Sequence, residues 1–112
     1  MPWRYFSIAA DVAHRKKDGR AHYVGAVGIR SDGRLVTASN GPSENRLPAC
    51  HAEARLMRKM DFYGTVYVSR KTSVGYRLSR PCPSCQRALR AKRIKRVYYT
   101  ISDTEYGVLE WV

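Results

Sequence analysis

The stretch CHAEARL, residues 50–56, opens a helix with a histidine and a glutamate two positions apart, and RPCPSC, residues 80–85, opens another with two cysteines. Between them TVYVS, residues 65–69, has the β-branched and aromatic composition of a strand. Helix, strand and helix in that order can set two parallel helices side by side, with both N-termini at one edge of a sheet. His51, Cys82 and Cys85 then face a common point.

The flanking chain extends this unit. Tyr5, Ile8, Ala9, Val12 and Ala13 follow the spacing of an amphipathic helix over 5–17. YVGAVGI (23–29) and RLVTAS (34–39) read as strands joined at SDG, a hairpin. GPSENRLP (41–48) reads as a loop leading to a helix over 49–60, and RKTSVGYRL (70–78) as a second loop. Pro83 suits the first position of a helix running to Arg93. RVYYTI (96–101) is a fourth strand, and VLEWV (108–112) a fifth. The short SDTEYG between them requires an antiparallel pair. The expected order is α-β-β-α-β-α-β-β, an α/β fold with a mixed five-stranded sheet flanked by helices, in a single domain over 1–112.

A chain of 112 residues is the size of one compact domain. Hydrophobic residues make up 44 %, with no apolar run near the roughly 20 residues of a membrane span. The N-terminal charges follow the apolar residues, the reverse of a secretory leader, so a cytoplasmic location is expected. Three cysteines, two of them in C-x-x-C, favour metal or redox chemistry over a disulfide framework.

Charge adds a partner class. There are 21 Lys and Arg against 9 Asp and Glu, a net charge of +12. Residues 70–96 carry Arg70, Lys71, Arg77, Arg80, Arg87 and Arg90, with further bases up to Arg96 and no acid. This pattern suits nucleic acid, against the alternative of a solvated basic face.

Cys82 and Cys85, in the first turn of a helix, can converge on one ion, and the helix N-terminus favours their thiolates. Zinc takes four ligands, and a catalytic zinc leaves one position to water. His51 is the best third protein ligand; His14 and His22 have no comparable spacing. Glu53 lies about 200° from His51 on a regular helix, so both reach one centre only if the metal sits off the helix end. That makes it a neighbour of the water rather than a ligand, able to shuttle protons. Cys50 is expected to be a buried free thiol.

His51-Ala52-Glu53 with Pro81-Cys82-Pro83-Ser84-Cys85 resembles the zinc deaminase signature H-x-E…P-C-x-x-C. VGAV…DGRLVTASNG…HAEARL is similar to the core of the deoxycytidylate and cytidine deaminase superfamily, RPCPSCQRAL to small phage and toxin-type deaminases, and RVYYTISDTEYG to the fourth strand and following loop of AID/APOBEC enzymes. The resemblance implies the cytidine deaminase-like three-layer fold, Zn2+ held by His51, Cys82 and Cys85, and Glu53 as general acid/base. It places Asn40 where an amide bonds the sugar and Ala52 where the backbone contacts the base; for Asn40 a plain turn role before Gly41 weighs equally. The chain stops before the late helices of longer relatives, so a homo-oligomer is expected to complete the pocket. The tRNA adenosine deaminase pattern around C-x-x-C is not fully matched.

Tyr76, Tyr99 and Tyr106 are candidates to stack a base, or else ordinary strand-end packing. The leading expectation is conversion of cytosine to uracil in single-stranded DNA or other single-stranded nucleic acid. A free dCMP or cytidine deaminase is the runner-up and adenine deamination the third. A non-catalytic zinc module that binds nucleic acid is the alternative from another class; it would require four protein ligands and leave Glu53 without a task.

Overall fold

The structure is a computed structural model and describes residues 2–13, 24–40 and 51–111. In chain order the elements are α1 (Pro2–Ala13), β1 (Val24–Ile29), β2 (Leu35–Ser39), α2 (Ala52–Met57), β3 (Thr65–Thr72), β4 (Gly75–Arg77), α3 (Pro83–Ala91), β5 (Arg96–Thr100) and β6 (Tyr106–Glu110). The main sheet runs β2-β1-β3-β5-β6, and β4 pairs with β3 off this path. β1 is antiparallel to β2 and β3, β3 and β5 are parallel, and β5 and β6 form an antiparallel hairpin. The mixed α/β sheet expected from the sequence is therefore present.

Side-chain alternation divides the core. Val66 and Val68 of β3 join Ala26, Leu56, Leu89 and Val97 under α2 and α3, whereas Tyr67 turns the other way to Phe6, Ala9 and Val27 under α1. Helices cover both faces of the central strands. This explains the near-continuous apolar run of TVYVS.

Three sequence readings change. The buried face of α1 is Phe6, Ala9, Ala10 and Ala13, with Tyr5, Ile8 and Val12 half-buried beside it. The stripe is turned toward alanines because α1 lies almost on the sheet: a Cβ on Gly25 would stand 1.8 Å from the Ala9 carbonyl oxygen. The segment 70–78 is not a loop, for β3 continues to Thr72 and returns as β4, with Gly75 at φ 125 in the turn. α2 is shorter than expected and starts only after His51.

Other boundaries follow local chemistry. Gly33, at φ 87, closes the β1–β2 hairpin, donating its N–H to the Arg30 carbonyl at 2.9 Å. α3 ends as Arg93 enters the left-handed region at φ 53, and buried Ile94 then turns the chain toward β5. Among the described residues, no helix is long and apolar enough to cross a membrane.

Candidate active site

β2 and β3 are both antiparallel to β1, so they run the same way and end at one edge of the sheet. α2 precedes β3 through a short turn, and α3 follows the β3–β4 hairpin. Both helix N-termini consequently lie at that edge, with α2 packed against α3.

His51 is the N-cap of α2, extended at φ −68 and ψ 150, and its carbonyl accepts the Arg55 N–H at 3.0 Å. Cys82 is the N-cap of α3, extended at φ −68 and ψ 165, with its carbonyl accepting the Gln86 N–H at 2.9 Å. Pro83 follows at the start of the helix, where its missing N–H costs nothing. Extended caps swing His51 and Cys82 off their helix ends. The 200° separation that regular helix geometry imposes between His51 and Glu53 does not apply.

His51 Nδ1 lies 3.3 Å from Cys85 Sγ and 3.5 Å from Cys82 Sγ. All three donor atoms lie within 4.8 Å of one another. Tetrahedral zinc with ordinary bond lengths would separate its nitrogen and sulfur ligands by about 3.6 Å. The donors therefore fit that ion in number, type and spacing. Among the described residues no fourth donor joins the cluster, the pattern of a site with a position left for water. Cys85 is buried, while His51 and Cys82 are half-buried.

Electrostatics supports the same ion. Burial, followed by the neighbouring Glu53 carboxylate, pushes the Cys85 thiol well above its ordinary range, reversing the sequence expectation that the helix N-terminus would lower it. Burial likewise pushes Glu53 up to about 7, against the lowering effect of its own backbone N–H and of Cys85. Zinc held by His51, Cys82 and Cys85 would supply positive charge near both groups and favour their ionised forms.

The other candidates are placed as follows. Asn40 is half-buried at the end of β2; its Oδ1 accepts the Val24 N–H at 3.1 Å, and its own N–H donates to the Val24 carbonyl at 3.0 Å. Ala52 is fully buried at the first helical position of α2. Tyr99 lies in the core under α2 and α3, with the Arg80 guanidinium 5.9 Å from its ring centre. Tyr76 and Tyr106 take the opposite face, where Trp3 packs on them at 5.6 and 6.1 Å, so Tyr99 alone of the three shares a sheet face with the metal ligands.

Of the basic stretch, Arg70 is half-buried on β3, while Lys71, Arg77, Arg80, Arg87 and Arg90 are exposed. Lys71 lies over the Tyr76 ring, on the α1 side. Cys50, His14 and His22 lie outside the described residues.

A half-buried thiol, a buried thiol and one imidazole, at the starts of two adjacent helices on a three-layer α/β sheet, form a three-donor zinc site among the described residues. The profile of the cytidine and deoxycytidylate deaminase zinc-binding region matches residues 3–101, and the chain belongs to that family. A comparison with individually curated proteins returns no match.

Proposed function

We propose that the protein is a hydrolytic deaminase that converts cytosine to uracil in single-stranded nucleic acid, with Glu53 as its proton carrier. The observation that carries the reading is Glu53 itself: a carboxyl 5 % exposed, against Cys85 of the metal cluster, and raised to about 7. A buried carboxyl is costly to maintain, and one poised near neutrality beside an open metal position is suited to both taking and giving a proton.

Zinc, when bound, supplies a Lewis acid that makes a neighbouring water acidic near neutral pH. Glu53 takes a proton from the attacking water and delivers it to the ring nitrogen next to the amine-bearing carbon. The water oxygen bonds to that carbon, the carbon–nitrogen bond to the amine breaks, and Glu53 carries the second proton to the leaving ammonia. Ala52, buried beside Glu53, offers its backbone to the base, and Asn40 stands at the strand end where a sugar would lie. The net charge of +12 supports a polyanionic substrate.

The test is mass-spectrometric detection of uracil after incubating zinc-loaded protein with a cytosine-containing single-stranded oligonucleotide and, separately, with dCMP. Conversion of the oligonucleotide supports the reading in full. Conversion of dCMP alone would replace the polynucleotide by a free nucleotide, and conversion of neither would leave a zinc module without this chemistry.

A further inference from the structure

Arg70 and Arg77 are direct partners across the β3–β4 ladder, so their side chains leave the sheet on the same side. Val66 and Val68 lie in the core under α2 and α3, and alternation puts Arg70 on their face, at the strand end beyond them. That is the sheet edge at which the metal cluster stands. Like charges directly opposite each other weaken a ladder. Among the described residues no carboxylate lies within ion-pair distance of either arginine.

Two further observations distinguish the pair from an ordinary basic surface. Arg70 is half-buried, and its Nε is buried and lacks a hydrogen-bond partner, so this one guanidinium donor goes unmet. The backbone carrying both residues is also fixed. The buried Thr100 hydroxyl accepts the Arg70 N–H at 3.3 Å, donates to the Arg77 carbonyl at 2.7 Å, and shares a hydrogen bond with Ser79 at 2.8 Å. Asp103 accepts the Tyr76 N–H at 2.7 Å, holding the returning strand from outside. Arg77 spends one N–H on the Tyr76 carbonyl, leaving the rest of its fork to other acceptors.

Two arginines directly opposite each other, on a backbone fixed by hydrogen bonds and with one buried guanidinium donor unmet, suit an anionic group. Resting on the deaminase reading, we propose that Arg70 and Arg77 form a phosphate subsite at the sheet edge of the metal centre and hold a phosphate of the nucleotide whose base meets Glu53. Two planar guanidinium forks match phosphate oxygens, whereas a neutral nucleoside would leave both unpaired. The phosphate is either the monoester of a free nucleotide or a diester within a strand.

The experiment compares zinc-loaded wild type with Arg70→Gln, Arg77→Gln and Arg70→Lys on deoxycytidine, dCMP and a short cytosine oligonucleotide. The ratio of kcat/KM for a phosphate-bearing substrate to that for deoxycytidine should fall at least about tenfold in Arg70→Gln, and less in Arg70→Lys, which keeps charge without the fork. A fall with dCMP assigns the monoester, and a fall with the oligonucleotide alone assigns the diester. Unchanged ratios for both would overturn the subsite. Binding of dCMP and of labelled oligonucleotide to Glu53→Gln, with and without each arginine change, separates this result from turnover. Arginine-dependent binding without deamination of any substrate would sink the deaminase reading and keep the subsite. A structural role predicts lower melting temperatures for the glutamine variants; relief of the like-charge pair predicts equal or higher ones.

Discussion

His51 Nδ1 lies 3.3 Å from Cys85 Sγ although 34 positions separate the two residues. The contact exists because α2 and α3 start at the same sheet edge and both helices begin with extended caps. A single ion should therefore depend on both helices at once. One zinc per chain is expected by elemental analysis, with His51→Ala, Cys82→Ala and Cys85→Ala each weakening zinc binding by more than the roughly 10–100-fold typical of changes outside the ligand set. Full zinc content in any of the three variants would contradict the ligand assignment.

Metal-free protein should lose stability as pH rises. Glu53 ordinarily titrates at 4.5 and is raised to about 7 by burial, so between these values the folded chain holds more protons than the unfolded chain. Its contribution is fully present below about 4.5 and lost as pH rises through about 7, a difference of about 3 kcal/mol. Urea titrations of the metal-free protein across this window should show the decline, and Glu53→Gln should flatten it. Equal slopes in the two proteins would show that Glu53 does not ionise in a buried setting.

Thr100→Val should cost about 1–3 kcal/mol by urea denaturation, because a buried hydroxyl that serves Arg70, Arg77 and Ser79 is replaced by a methyl group of similar shape. Loss of under half a kilocalorie would mean that the hairpin is held from elsewhere.

Two glycines should respond differently to alanine. At Gly25 the new Cβ would stand 1.8 Å from the Ala9 carbonyl oxygen, which belongs to backbone, so α1 has to lift from the sheet. At Gly33 nothing lies within 4 Å, and only its φ of 87 opposes the change. Gly33→Ala should cost about 1–2 kcal/mol and Gly25→Ala more than that. Equal melting temperatures would contradict the close approach of α1.

The metal site was legible because its parts are local: a C-x-x-C behind a proline, and a histidine before a helix, with one strand between. What escaped the sequence depended on contacts across the sheet. The arginines of RKTSVGYRL are spaced like a polar loop, and nothing in that stretch reveals that Thr100, on a later strand, clamps Arg70 and Arg77 into a ladder. The register of α1 likewise depends on the sheet beneath it. Tyr5, Ile8 and Val12 have the larger side chains, but Gly25 demands small residues opposite it, and so alanines turn inward. Alternation then decided the tyrosines, sending Tyr76 and Tyr106 to Trp3 and Tyr99 to the metal face.

The most direct test of the central claim is a reaction of zinc-loaded protein and its Glu53→Gln variant with a cytosine oligonucleotide in water enriched in heavy oxygen. Uracil should carry one heavy oxygen, with one ammonia released per base converted, and turnover in Glu53→Gln should fall by at least about a hundredfold while zinc is retained. Undiminished turnover in that variant, or uracil without the label, would contradict the claim.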